Sequence, residues 1–473
     1  MNVLYIDIDS LRADRLGMYG HEAPTTPELD RFAEDAVVFD RSYVACSPCM
    51  PSRAGFVSGR YGVHNGIVTH GPQAQTLRSP KQSKDWFAGW AEEWTFEGNG
   101  LKETTGESAE WLTLPEVFFH ERVHTAAVSS FPRHTAPWFY HLWHEFHQPQ
   151  EPEGRRMFFM TPQAEDVVDT ARDVLERNDD PVFCYAQFWE PHLPYTRPDE
   201  EVAGFADTPM PPYPTEDDIA AHHEWELSTA AQMEVESRED LRRLYASYDA
   251  EIRHVDREVG RLLEYLRETG RYDETMVVVT GDHGEEFGEH GMYVKHGNVH
   301  DASQRVPLLV KPPASADYEP GHRDQLVTNV DLAPTLVDYA GLDRPAQWQG
   351  RSLRPVLADP DADWRDHVVL DHGLYTAQRA VRTDRWKYVR TLHPGGFADV
   401  VPERALYDMH EDPHEQANLH DDRPAVVEDL ETRMLRWVDE HVGRGEDPMH
   451  ELARTGPASY PPNEAYWSQN TGR

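Results

Sequence analysis

Lysine is scarce in this chain: six residues in 473, so arginine supplies most of the positive charge. Lys and Arg together number 45 against 84 Asp and Glu, a formal net charge of -39. That shortage of cations excludes a nucleic-acid partner, because phosphate binding needs Lys/Arg neutralisation. It suits a solvated surface in concentrated salt, where the Debye length shrinks to about 3 Å and self-repulsion is screened. A halophilic source is the expectation. An anionic substrate would need a local cluster of Arg, Lys, His and metal to overcome the global field. Cysteine is scarce too. Cys46, Cys49 and Cys184 build no disulfide framework. Cys46 and Cys49 have CxxC spacing, but Pro48 intervenes and no second pair completes a zinc or redox motif. No apolar run reaches membrane-spanning length. Met1-Asn2 leads straight into Val3-Leu4-Tyr5-Ile6, without a basic leader or cleavage site. These absences predict a cytoplasmic protein with no membrane partner. Internal repeats and low-complexity tracts are also missing.

What is present is globular: 39% hydrophobic residues and 13 Trp. Length alone suggests two to three domains. Residues 3–9 read as a strand ending in acid, with Asp7 and Asp9 alternating onto one face. Thr26-Pro27 starts a helix with an apolar stripe at Leu29, Phe32, Ala33 and Ala36. Residues 52–58 predict a helix stopped by Gly59. Residues 71–110 are polar and Trp-rich and read as an irregular insertion near the site. Residues 114–119 predict a helix, 124–129 a strand, 163–178 a helix and 181–189 a buried strand. Residues 191–214 are Pro-rich, which predicts a loop without regular elements.

The strongest helix runs over 238–269, with Leu241, Tyr245, Tyr248, Ile252, Val255, Val259, Leu262 and Leu266 at helical spacing and Gly270 as its stop. Residues 276–280 predict a β-branched strand that ends at Gly281-Asp282-His283-Gly284. A short strand over 306–310 and a helix over 331–339 follow. Residues 358–363 look like a boundary. Antiparallel strands over 368–371, 378–382 and 386–391 come next, then a helix over 424–441 and a polar tail over 442–473 that wraps the surface or is partly disordered. The pattern predicts an α/β domain over 1–365 and a smaller C-terminal α+β subdomain over 366–473.

Two stretches carry chemistry. Ser47-Pro48-Cys49-Met50-Pro51-Ser52-Arg53, with Gly59-Arg60 beyond, puts a cysteine in a turn with an arginine four residues on. A helix beginning there favours negative charge beside residue 49. Asp282-His283 lies just past a buried strand, and Asp9 ends another, so two acidic strand ends suit a divalent cation. Lone residues of these kinds are more often a core cysteine, a solvated turn aspartate or a capping histidine.

The ordered set resembles the type I, formylglycine-dependent sulfatases of the alkaline phosphatase superfamily. It comprises Asp9, Cys49 to Arg53, Pro191-His192-Leu193-Pro194-Tyr195, Asp282-His283-Gly284, Glu289-His290-Gly291 with Lys295, Asp331-Leu332-Ala333-Pro334-Thr335, and Leu406-Tyr407-Asp408 with Asp412-Pro413 and Glu415. The resemblance covers nearly the whole chain apart from 71–110 and the tail.

It implies a large mixed sheet sandwiched by helices. It also implies sulfate-ester hydrolysis, with carbohydrate as the substrate class on family frequency. Cys49 would be oxidised to formylglycine by a formylglycine-generating enzyme. The resemblance makes Asp9, Asp282, His283 and residue 49 ligands of a divalent cation, calcium first, with magnesium or manganese as alternatives. It gives Arg53, His192 and Lys295 the work of holding the nucleophile and the anion. One geminal hydroxyl of the hydrate would attack sulfur and the other would then eject sulfate, splitting one displacement into two steps.

The chain departs from the common pattern in two places. Ser10 stands where a second metal acid is usual. Ser129-Ser130-Phe131-Pro132-Arg133-His134 replaces a Gly-Lys-x-His stretch. The general base is therefore open among His64, His134, Arg133 and His70. Glu289 and His290 read as structural. Trp86, Trp90, Trp94 and Trp111 suit either a sugar pocket or core packing. Two other functions fit the same residues: a phosphonate monoester or phosphodiester hydrolase, and a non-catalytic binding homologue that keeps the fold.

Overall fold

The computed structural model describes residues 1–70, 112–131, 136, 139, 142–149, 163–225, 227–398, 400–443 and 445–460. The predicted insertion with Trp86, Trp90 and Trp94 lies outside the described residues, as do Trp111, Arg133 and His134.

Val277, Val278 and Val279 are buried on every side, as the middle of a covered sheet requires. They lie in Thr275–Gly281, one of eight strands in the main sheet. The spatial order is Gly321–Arg323, Val37–Phe39, Leu308–Lys311, Thr275–Gly281, Asn2–Ile8, Val182–Phe188, His124–Val128 and Glu145–His147. Leu308–Lys311 runs against the other seven.

Alternate side chains serve opposite faces. Leu4, Ile6 and Ile8 pack with helices Ala164–Glu176 and Arg238–Glu268. Val3 and Tyr5 pack with helices Cys49–Ser58, Leu114–His120 and Leu332–Tyr339. The result is the expected helix-covered α/β sandwich.

A second sheet has five strands, in the order Arg404–Asp408, Trp386–His393, Ala377–Thr383, His367–His372 and Cys46–Ser47. Its last member comes from the segment just before Cys49. It pairs with His367–His372, placing Cys46 opposite Asp371 and Ser47 opposite His372.

Three sequence expectations need correction. The helix expected from residue 52 begins at Cys49, with the Pro48 carbonyl accepting from Ser52 N at 3.0 Å. The Pro-rich stretch contains a short helix, Asp199–Ala203, because Pro198 takes the N-cap position and the following five residues are free of proline. The tail does more than wrap the surface. Helix Pro448–Thr455 buries Met449 and Leu452 against Cys46, Val68 and Ala377, and Asp447 caps it by accepting from Met449 N.

Candidate active site

Sheet register delivers the site. Ile8 lies opposite both Phe188 and Gly281, so three neighbouring strands end at one level. Just past those ends come Asp9, the segment carrying His192, and Asp282-His283. Ligands gather at such carboxyl ends in open α/β sheets. Asp7 and Asp9, two residues apart, share a side of their strand. Ser10 then takes positive φ (58°), and its backbone N–H donates to Asp282 Oδ1 at 3.1 Å.

Helix Cys49–Ser58 lies across this edge. Cys49 and Arg53, four residues apart, lie on one helical face. Arg53 is almost fully buried. Its Nε donates to Asp7 Oδ2 at 2.8 Å, Nη2 to Asp9 Oδ2 at 3.1 Å, and Nη1 meets Asp282 Oδ2 at 2.7 Å. Tyr185 also donates its hydroxyl to Asp7. Burial pushes the Asp7 and Asp282 carboxyls up, against the pull of Arg53. Burial, then Asp9 and Asp282, push the Cys49 thiol well up.

His283 Nε2 stands 3.0 Å from Cys49 Sγ, while Nδ1 pairs with the Gly284 carbonyl at 2.7 Å. A carbonyl only accepts, so Nδ1 carries a proton, and in the neutral imidazole Nε2 is the nitrogen with the lone pair. Burial opposes the imidazolium, but the charges of Asp282 and Asp9 outweigh it and raise the His283 pKa. Asp9, Cys49, Asp282 and His283 place their ligand atoms within 4.8 Å of one another. Three buried carboxylates for one guanidinium, plus an imidazole lone pair fixed by its other nitrogen, fit a divalent cation. Asp282 Oδ2 also lacks an aligned hydrogen bond.

His192 and Lys295 are brought to the same region. His192 Nδ1 donates to the Leu193 carbonyl at 2.9 Å. Burial lowers the His192 pKa, and Asp9 opposes that. Lys295 ends the strand Tyr293–Lys295, and burial lowers its pKa against the pull of Glu285. Burial raises Glu285 to about 8.

His64 is not brought to this cluster. It sits on Gly62–Asn65, with Nε2 3.1 Å from His441 Nδ1 and its ring beside that of His441. His70 is there instead, with Nε2 accepting from Met50 N at 3.3 Å. Burial, then His283 and Arg53, bring the His70 pKa down to about 3. His134 lies outside the described residues. Glu289 is held by Arg12 and Tyr245, and His290 stacks on His300 at 3.5 Å, both in structural settings.

The sequence reading missed two buried histidines. His296 lies 4.1 Å from the His283 ring, with Nδ1 3.4 Å from Glu285 Oε1. Its only signal was its place after Lys295. His372 comes from the second sheet and holds Ser47 Oγ at 2.8 Å, two residues before the nucleophile candidate. Gln304 Nε2 donates to the same hydroxyl at 2.8 Å. Nothing in the local sequence marks that pairing.

A model of the sulfatase family matches residues 1–342, and a model of the N-sulphoglucosamine sulphohydrolase C-terminal region matches residues 288–440. The N-acetylglucosamine-6-O-sulfatase of Bacteroides thetaiotaomicron is 24% identical over 498 residues, covering 88% of this chain and 82% of the relative. BT4656, solved with its substrate D-glucosamine-2-N,6-O-disulfate, superposes with a TM-score of 0.71 at 20% identity, over 94% of this chain and 99% of that one. The phosphonate monoester hydrolase of Agrobacterium radiobacter gives a TM-score of 0.71 at 21% identity, over 93% and 96%.

Proposed function

The chain belongs to the sulfatase family and is a sulfuric ester hydrolase; from that premise we propose that it cleaves a carbohydrate sulfate with a nucleophile made from Cys49. One observation carries this reading. Cys49 opens a buried helix with its sulfur 3.0 Å from His283 Nε2 and its i+4 arginine among three strand-end carboxylates.

Oxidation of Cys49 to formylglycine, by a maturation enzyme acting on this motif, supplies a hydrated aldehyde where the thiol now stands. Asp9, Asp282 and His283 would hold a divalent cation, calcium first, which supplies Lewis-acid polarisation of a sulfuryl oxygen. Arg53 fixes the carboxylates and offsets part of their charge, so the nucleophile faces a preorganised field. Lys295 offers a partly desolvated ammonium to the anion, which strengthens its pull on charge that builds at the sulfuryl oxygens. His192, with Nδ1–H committed to Leu193, has Nε2 as its basic nitrogen and exchanges the proton of the leaving oxygen. His70, neutral at the N-terminus of the Cys49 helix, stands in the site where His64 was expected and holds Met50 N through Nε2, so it positions the start of that helix. The sugar assignment draws support from relatives named for glucosamine sulfates.

Mass spectrometry of the peptide holding Cys49, from protein made in the native host, tests the nucleophile. An aldehyde or its hydrate is the expected mass, and an unmodified thiol in active enzyme overturns it. Turnover of a sulfate ester and a matched phosphodiester tests the reaction class, with faster phosphodiester turnover favouring phosphonate-hydrolase chemistry.

A further inference from the structure

Tyr375 stands on the turn between His367–His372 and Ala377–Thr383. That turn is unusually well fixed. His372 Nε2 accepts from Leu374 N and Tyr375 N, each at 3.3 Å. Thr376 Oγ1 donates to the Gly297 carbonyl at 2.9 Å, two residues past Lys295. The Leu374 carbonyl accepts from Ser459 N at 3.1 Å and Ser459 Oγ at 2.7 Å. The Tyr375 carbonyl lies so close to Gly395 that a Cβ there would sit 1.9 Å away.

The side chain on this turn is partly exposed. Among the described residues its phenol oxygen makes no hydrogen bond, although the backbone around it makes several. The ring lies edge-on to His296 at 6.1 Å, and His296 lies 4.1 Å from His283 and 5.9 Å from His192. A row of rings thus leads from Tyr375 to the nucleophile. A phenol is neutral at physiological pH, so the Tyr375 hydroxyl stands beside the site as a donor.

Because Nε2 of His372 accepts two N–H groups, its proton is on Nδ1, which donates to Ser47 Oγ at 2.8 Å. Burial holds the His372 pKa down to about 3, so this tautomer persists at neutral pH. One neutral imidazole therefore fixes both Ser47, two residues before Cys49, and the Tyr375 turn.

The charged groups of the site gather on an anion. Tyr375 brings something different, an aromatic face with an unspent donor, which suits an uncharged hydroxylated ring. We propose that Tyr375 selects the alcohol half of the substrate, its hydroxyl donating to a sugar oxygen and its ring flanking the sugar, with His372 as its positioning residue. This rests on the sulfate-ester reading above.

The test compares kcat/KM for glucosamine 6-sulfate, galactose 6-sulfate and phenyl sulfate. Tyr375→Phe removes only the unspent oxygen and leaves the turn's hydrogen bonds in place. It should lower the preference for the better sugar sulfate over phenyl sulfate by about tenfold, the worth of one hydrogen bond. His372→Asn keeps a donor near Ser47 but loses the acceptor that holds the turn. It should lose the same preference, chiefly through KM, while keeping more phenyl sulfate turnover than His372→Phe. An unchanged preference in Tyr375→Phe overturns the assignment of Tyr375. An unchanged preference in His372→Asn overturns that of His372. Wild-type enzyme that turns over none of the three sulfates overturns the sulfate-ester reading itself.

Discussion

Cys49 Sγ and His283 Nε2 face each other at 3.0 Å, and the hydrogen bond from His283 Nδ1 to Gly284 decides which nitrogen faces the sulfur. The backbone carbonyl of Gly284 thus sets the chemistry available at residue 49, because only a lone pair can serve as a ligand or accept a proton there.

Replacing the sulfur is the first consequence. Cys49→Ala should abolish sulfate release while shifting the unfolding midpoint by only a few degrees, since one small buried atom is lost. Turnover assays beside a thermal melt check this. Sulfate release near the wild-type rate would remove Cys49 from the mechanism.

The cation site predicts a chelator effect. EDTA should lower the midpoint of the wild-type protein, because a ligand bound only by the folded state stabilises it. Asp282→Asn should erase most of that difference. Equal sensitivity of the two proteins to EDTA would place the cation elsewhere.

Arg53 sits among Asp7, Asp9 and Asp282 in the interior. Arg53→Met leaves those carboxylates without their guanidinium and should cost about 3–5 kcal/mol in urea unfolding with EDTA present. Excess calcium should recover part of the loss. A cost below about 1 kcal/mol would mean the carboxylates are protonated in the folded protein.

A pH effect belongs to Glu415. Burial opposes its charge, but Lys387 at 2.9 Å and His300 at 2.9 Å outweigh that and hold its carboxyl well below the usual range. A depressed folded pKa gives stability that is complete above the ordinary glutamate value and fades as pH falls toward the folded one. The wild type should therefore melt above Glu415→Gln at pH 6, with the gap narrowing toward pH 3. A gap that widens in acid would contradict the sign.

The surplus of carboxylates makes a further prediction. Raising KCl from 0.1 to 1 M should raise the unfolding midpoint by screening self-repulsion. A midpoint that falls with salt would remove the halophilic expectation.

Local patterns made much of this legible. Periodicity marked the 238–268 helix to within a residue, and β-branching marked the central strand. Acid at two strand ends pointed to Asp9 and Asp282 because parallel strands of equal register must finish together. The helix start was placed three residues late, since Cys49, Met50 and Pro51 carry no strong capping signal. The tail helix was missed because only Met449 and Leu452 of its eight residues are apolar and wholly buried. His64 and His70 were indistinguishable in sequence; Gly66, at positive φ, ends the short helix between them and sends only His70 back to the site. His372 was beyond any local reading, because its partner is 325 residues away.

That separation has a temporal side. Among the described residues the strand Cys46–Ser47 pairs with His367–His372 alone, and the wait for long-range pairing is slow in any chain. During synthesis the first three-quarters of the polypeptide emerges before the segment leading to Cys49 can be clamped. The residue on which the chemistry turns is made about 320 residues before the strand that clamps its segment.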